Sequence, residues 1–399
     1  MSFIIGIRNF ILGVLYKYIL KPLIFLWEPE EAHSKLKVLG KILQSNFITR
    51  FITSILFGYG NKKLNITVDG VDYKTPLGLS AGFDKDGELG FIYPHISFGL
   101  AELGSFTGEY CAGNAGNRLW RLKKSRSILV WYGLNNRGAE KIAEELKDKK
   151  FKLPIGISVA KSNIETNFDL DVSIKDYMKT YNAFRDIGDY YTINISCHNT
   201  QDGEPFVDPK NMKALCDAIN KDRVKDKPVY VKLAANLSRP EMKAIVTTCM
   251  ANGIDGFVCS NLEKERDPAK NPDVKDPMPY HKGAMSGQPL QRRATEQIRY
   301  VYRLTQGKAT IIGVGGIFTA KDAYEKITSG ASLLHMITAM IFDGPQTMSE
   351  INRGLVKLLK KDGFDNISQA VGSRNPLPSQ EEWEKFYGKN EIEKKVVNN

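Results

Sequence analysis

The residues of this chain best suited to chemistry are amides, ammonium groups, hydroxyls and one well-placed thiol. Cys197 stands in Asn194-Ile195-Ser196-Cys197-His198-Asn199-Thr200, just past a short apolar run. A free thiol titrates near ~8.5 and acts as a general base where its surroundings lower that value, and His198 is the one other evident base nearby. The alternative is a buried, inert cysteine, the commonest fate of a free thiol. Lys85 and Lys232 accompany two further apolar runs, Pro76–Ala81 and Val229–Ala234. A lysine held in a strand that reads as buried needs an anion. Gly313-Val314-Gly315-Gly316 closes another such run. Backbone N–H groups of a turn like this, together with a helix N-terminus, suit a phosphate.

These residues must be held by the elements around them. After a hairpin turn at Asp69-Gly70, short apolar runs alternate with helical patterns. Strands are expected at Pro76–Ala81, Ala101–Ser105, Pro154–Ala160, Tyr191–Ser196, Val229–Ala234, Gly256–Ser260, Thr310–Val314 and Ser332–Thr338. Helices are expected at Gly138–Lys147, Ser173–Ile187, Asn211–Asn220, Arg239–Asn252, Gln291–Thr305, Ala320–Ser329 and Pro345–Lys360. Strands that each lead into a helix fit a closed parallel barrel of ~250 residues plus insertions. An open doubly wound sheet would place its glycine-rich turn after the first strand. Here the turn follows the seventh, where barrel enzymes build a phosphate site with the loop after the eighth. The expected fold is therefore α/β, a (β/α)8 TIM barrel over residues 61–374 with an N-terminal helical hairpin extension over 1–60 and a polar tail over 375–399.

In such a barrel the chemistry sits at the C-terminal strand ends. Read in order, those ends carry Asp84-Lys85, Ser105, Lys161, Asn194 with Cys197 and Asn199, Lys232, Ser260-Asn261, Gly315-Gly316 and Thr338. Carboxylates and histidines are few, so no metal site is expected. Amide and ammonium donors suit a flat, anionic, heteroaromatic ligand, and the glycine turn suits its phosphate. Flavin mononucleotide (FMN) meets both descriptions.

The first sixty residues are of another kind. Phe3 to Trp27 is strongly apolar but interrupted by Arg8, Lys17, Lys21 and Pro22. A spanning helix needs ~20 apolar residues with few charges, so a helix lying in a membrane interface, with Lys17 and Lys21 reaching the headgroups, is the better reading and a transmembrane anchor the alternative. No small-residue cleavage site follows Trp27, which makes a removable signal peptide a poor match. Glu28-Pro29-Glu30-Glu31 signals a helix start. Two amphipathic stripes follow, Ala32, Leu36, Leu39, Leu43 and then Ile48, Phe51, Ile52, Ile55, Leu56. They predict a helical hairpin that either packs on the main domain or encloses an apolar interior for a lipid-soluble molecule.

The totals bound the reading. A chain of 399 residues with net charge +11 admits nucleic acid, anionic lipid or an anionic small molecule as partner. Its lysines are scattered without a basic run, so no nucleic-acid partner is expected. Five dispersed cysteines with no Cys-x-x-Cys pair point to reduced thiols and an intracellular compartment.

Pro76–Gly87 (PLGLSAGFDKDG), Glu102–Thr107 (ELGSFT), Asn194–Thr200, Val229–Ala234 (VYVKLA), Ser286–Leu290 (SGQPL), Thr305–Gly316 (TQGKATIIGVGG) and Gly330–Thr338 together resemble the dihydroorotate dehydrogenase family. The likeness spans about residues 25–372, and Trp27–Leu43 resembles the helical entry of the membrane-bound, quinone-reducing class 2. The resemblance implies FMN-dependent oxidation of (S)-dihydroorotate to orotate in pyrimidine (UMP) biosynthesis, with electrons passed to a membrane quinone through a tunnel in the helical hairpin. It implies a peripheral place on a bacterial cytoplasmic or mitochondrial inner membrane. It also implies FMN contacts at Ala81, Gly82, Ser105, Asn194, Lys232, Ser260, Gly287, Gly315, Gly316 and Thr338. Substrate contacts fall at Lys85, Asn194, Asn199 and Asn261, and Cys197 takes the place of the base that removes the C5 proton while the C6 hydride leaves.

The chain departs from that pattern in places. Class 2 usually has serine where Cys197 stands; cysteine is the habit of soluble class 1. His198 replaces a proline, Val130 stands where a substrate-binding asparagine is expected, Ser158 replaces an asparagine near the flavin, and Leu262 replaces a hydroxyl residue beside Asn261. Missing partners at Val130 and Leu262 would cost a polar ring ~1–3 kcal/mol each. Two further readings follow: a flavin oxidoreductase of the same family with another substrate or a soluble acceptor, and a degenerate membrane-associated flavin binder. The charged, proline-containing stretch Glu263–His281 reads as a lid or as a solvated loop.

Overall fold

The computed structural model describes residues 2–164, 169–196, 205–266 and 282–388. Eight parallel strands close into a barrel: β1 (Leu77–Leu79), β2 (Leu100–Phe106), β3 (Ile155–Val159), β4 (Tyr190–Asn194), β5 (Val229–Leu233), β6 (Gly256–Cys259), β7 (Thr310–Val314) and β8 (Leu333–Met336). Pairing of Leu334 with Leu77 joins the last strand to the first. Each strand lies where the apolar runs predict, shifted by a residue or two at its ends. The runs work because a strand sandwiched between barrel interior and outer helices is buried on both faces, as Ile155–Val159 is throughout.

The outer helices also follow their sequence signals. Ser238 and Thr319 each close a capping box, with Glu241 and Asp322, at the starts of Arg239–Ala251 and Ala320–Thr328. The Asp69-Gly70 turn joins Ile66–Val68 to Val71–Tyr73, with both central residues at positive φ. Two elements escaped the pattern. Leu119–Leu122, Ser127–Val130 and Ala284–Met285 form a small antiparallel sheet. The polar tail carries a helix, Gln380–Tyr387, whose Trp383 is buried and donates to the Leu304 carbonyl at 2.9 Å.

Residues Phe3–Ile24 form one helix, α1, long and apolar enough by composition to cross a membrane. Its course includes a π-helical turn at Tyr16–Leu20. One face is docked on the barrel: Tyr16 Oη donates to the Ile341 carbonyl at 2.6 Å and Lys21 Nζ to that of Phe342 at 3.0 Å. Arg8 reaches three ways, to Ser349 Oγ on a barrel helix and to the carbonyls of Ile55 and Gly58. Helices α2 (Pro29–Gln44) and α3 (Phe47–Phe57) follow as expected. Their apolar stripes divide differently from expectation. Ala32 is buried and Leu43 packs on the core, but Leu39 and the whole second stripe from Ile48 to Leu56 face outward.

Candidate functional site

The cavity at the C-terminal mouth of the barrel is lined by Ala81, Gly82 and Lys85 after β1, Ser105 in β2 and Asn194 in β4. It is also lined by Lys232 in β5, by Ser260, Asn261 and Gly287 between β6 and β7, by Gly315 and Gly316 after β7, and by Thr338 after β8. The structure thus brings together every expected site residue that it describes. Cys197 and Asn199 lie outside the described residues, as does much of the lid-or-loop stretch ending at His281. Lys161, a strand-end lysine, is not part of the wall.

Short local geometry places each group. Asp84 is fully buried and accepts from the backbone N–H groups of Glu88 and Leu89, each at 2.8 Å, and from Tyr93 Oη at 2.9 Å. It therefore shapes the loop and leaves Lys85 to face the cavity. The Lys85 ammonium sits 3.5 Å from the centre of the Tyr132 ring. Burial, reinforced by Lys37 and Arg118, lowers its pKa to about 8.

Asn194 Nδ2 donates to Ser105 Oγ at 3.0 Å, and that hydroxyl shares a 2.7 Å contact with Ser158 Oγ. Ser158, which stands where the family pattern has an asparagine, is therefore part of this network. Ser196 links two expected residues: its Oγ donates to Asn194 Oδ1 at 3.2 Å, and Asn261 Nδ2 donates to its carbonyl at 2.7 Å. On the other side Thr338 Oγ1 and Ser286 Oγ are 2.8 Å apart.

The glycine turn has no room for side chains. Gly315 has φ near +100°, and a Cβ there would stand 2.5 Å from Leu290 Cδ2. At Gly316, with φ near +70°, a Cβ would meet the Gln291 backbone at 2.5 Å. Glycine alone adopts this backbone cheaply and leaves its N–H groups open to a phosphate. A cradle of bare amides beside a wall of hydroxyls, amides and two lysines fits a flavin nucleotide.

Sequence reasoning missed four residues here. Ser196 and Ser286 show themselves only through the bonds above. His33, from α2, lines the cavity edge-on to Phe83 at 5.0 Å. His335 lines it from β8, a lone histidine in an apolar run, and that irregularity was the available signal. Val130 and Leu262, where the family pattern has polar groups, both line the cavity.

A profile described as "Dihydroorotate dehydrogenase" matches residues 63–359. That span holds all eight strands and the whole glycine turn. The chain belongs to the dihydroorotate dehydrogenase family. Among its relatives is the dihydroorotate dehydrogenase (quinone) of Trichodesmium erythraeum, 33% identical over 377 residues that cover 90% of this chain and 99% of that protein. The protein of the same name from Crocosphaera subtropica is 36% identical and covers 86% of this chain and 93% of its own. The fold also matches a solved ligand-free dihydroorotate dehydrogenase from Eimeria tenella, at a TM-score of 0.77 and 24% identity, covering 87% of this chain and 99% of that one. Those relatives are matched over nearly their whole length.

Proposed function

We infer that this chain oxidises dihydroorotate to orotate, a step of pyrimidine biosynthesis, and passes the electrons to a quinone. The observation that carries this is the convergence of Lys85, Asn194, Asn261 and Lys232 on one cavity beside the Gly315-Gly316 cradle, in a chain that matches quinone-dependent relatives over most of its length. FMN bound there supplies a two-electron acceptor. Ser105, Asn194, Lys232, Ser260, Gly287 and Thr338 would hold it, and the open amides of Gly315 and Gly316 would suit its phosphate. Lys85 pairs with the substrate carboxylate; Asn194, Asn199 and Asn261 hold the ring amides. Cys197 takes the proton from C5 as the C6 hydride departs, so that charge does not build up on the substrate.

Membrane placement is part of the proposal. Phe3, Ile4, Phe10, Leu26, Phe47, Ile48 and Phe51 are all more than half exposed. A soluble monomer rarely shows so large an apolar patch. Because α1 is fastened along the barrel, the three helices form an in-plane footing with Lys17 at the headgroups. An isoprenoid quinone then enters between α2 and the barrel mouth, past His33, Phe83, Leu119 and Ile341, which line the cavity.

A second reading rests on Val130 and Leu262. Apolar side chains at both positions favour a ring substrate with fewer polar groups than dihydroorotate. Stopped-flow mixing of the purified flavoprotein with dihydroorotate, followed by a short-chain quinone, decides between them. Bleaching and then quinone-driven recovery support the first reading. No bleaching at millimolar substrate supports the second.

A further inference from the structure

Below the cavity, the interior of the barrel is unusually polar. Barrels of this kind fill their interior with layers of branched apolar side chains drawn from alternate strands. Here one layer has Glu102 from β2, Thr192 from β4 and His335 from β8, all buried. Thr192 Oγ1 donates to Glu102 Oε2 at 2.6 Å, and His335 Nδ1 lies 3.9 Å from the same oxygen. Glu102 Oε1 and His335 Nδ1 have no hydrogen-bond partner among the described residues. A buried carboxylate and imidazole in mutual reach, each with an unused polar atom, hold room for one more proton.

The pair is linked in both directions. Burial raises the Glu102 pKa and lowers that of His335; from above, the Lys232 ammonium opposes the first shift by steadying the carboxylate and adds to the second, and Lys232 itself lines the cavity. Downward, His335 Nε2 is 3.2 Å from Tyr190 Oη, across the barrel. The Tyr190 ring lies 5.6 Å from that of Tyr230, whose hydroxyl donates at 2.8 Å to Asp69 Oδ2 in the exposed turn beneath the barrel. Tyr73, buried beside them, also has a hydroxyl without a partner among the described residues. The titratable groups facing the pair are thus Lys232, Tyr190 and, one layer lower, Tyr230 and Tyr73. Asp69 and Asp189 act on those phenols from the far end.

We propose that Glu102 and His335 form a proton-binding site on the barrel axis that fills when the ring bound above Lys232 is reduced and empties when it is reoxidised. This rests on the flavin reading given above. Reduction brings two electrons and one proton to the ring as hydride and leaves it with an added negative charge, which competes with Glu102 for Lys232. One further proton, drawn from solvent along the tyrosine column, then binds Glu102 and forms an O–H bond. Reoxidation by the acceptor releases it the way it came. His335 reaches the cavity wall while Glu102 does not, and neither takes part in the redox step itself. They set the charge beneath the site.

The test is the midpoint potential of the bound flavin against pH, poised with dyes so that no substrate is needed. Over part of the range between pH 5 and 9 the wild-type slope exceeds that of Glu102→Gln by one proton per two electrons, about 30 mV per pH unit. Thr192→Val, which removes a bond to the charged carboxylate, moves that window to higher pH. Infrared difference spectra on reduction gain a protonated-carboxylic-acid band that Glu102→Gln lacks. Should Glu102→Gln fail to fold, the wild-type band decides, and its absence overturns the proposal. Equal slopes in wild type and a yellow Glu102→Gln overturn the proton site and leave the flavin reading intact. A protein that takes up no flavin overturns both.

Discussion

Lys85 Nζ stands 3.5 Å from the centre of the Tyr132 ring, on the wall of the cavity. Burial, then the charges of Lys37 and Arg118, disfavour the cation and lower its pKa to about 8, while the ring face offers the charged form a partner. Below that value Lys85 is charged and attracts a carboxylate; above it the charge is lost. Dihydroorotate affinity should therefore weaken as pH rises through about 8. Lys85→Met should raise the dissociation constant about 10- to 100-fold, the worth of a charge-assisted bond, and flatten that pH profile. Binding titrations on the oxidised protein at several pH values check both.

Cys197 is expected to carry the proton transfer. Cys197→Ala should slow flavin reduction by ~10²–10⁴-fold, the usual contribution of a positioned base, and leave the flavin bound. Cys197→Ser should recover activity only at higher pH, because a hydroxyl gives up its proton less readily. Unchanged single-turnover rates in either variant would remove the assignment.

Gly316→Ala should cost the flavin itself. The added methyl would press on the Gln291 backbone at 2.5 Å, at a φ that alanine rarely adopts. We expect a folded protein that loses its yellow colour on gel filtration, with thermal unfolding monitored to confirm the fold.

His33 gives a stability test. Burial first, then the charges of Lys85 and Lys37, lower its pKa from 6.5 to about 3. As pH falls through 6.5 the unfolded chain takes up a proton that the folded one refuses until about 3, so stability is lost across that window. His33→Leu should reduce the slope of unfolding free energy there by up to about 1.4 kcal/mol per pH unit. Urea titrations at pH 6 and pH 4 measure it. An identical slope in the variant would mean that His33 titrates normally.

Removal of residues 1–60 should yield a protein that no longer sediments with liposomes and that loses quinone reduction before it loses flavin reduction by dihydroorotate. Full quinone activity in the truncated protein would separate the helices from the acceptor step.

Much of this was open to reading in the sequence, for identifiable reasons. Strands such as Thr310–Val314 are short, β-branched and buried on both faces, so composition alone marks them. Gly315 and Gly316 announce a backbone that no other residue tolerates. The outward turn of Ile48–Leu56 was not legible, because periodicity shows that a helix has an apolar face but not what that face meets. Nor was the Glu102–His335 pair. The two residues are far apart in the chain, and each meets the other only because β2 and β8 are near neighbours in a closed barrel. The Leu119–Val130 hairpin pairs with Ala284–Met285 across a long stretch of intervening chain, a partnership that local pattern does not encode.

Arg8 hydrogen-bonds at once to the end of α3 and to the barrel helix that carries Ser349. A body moored by a loose rope can swing in any direction; one bolted to its keel cannot. If the apolar helices lie in the lipid, the barrel inherits their orientation, and its mouth keeps one heading toward the bilayer through every turnover. The acceptor then always arrives from the same side, while the water-soluble substrate must find its way in from another.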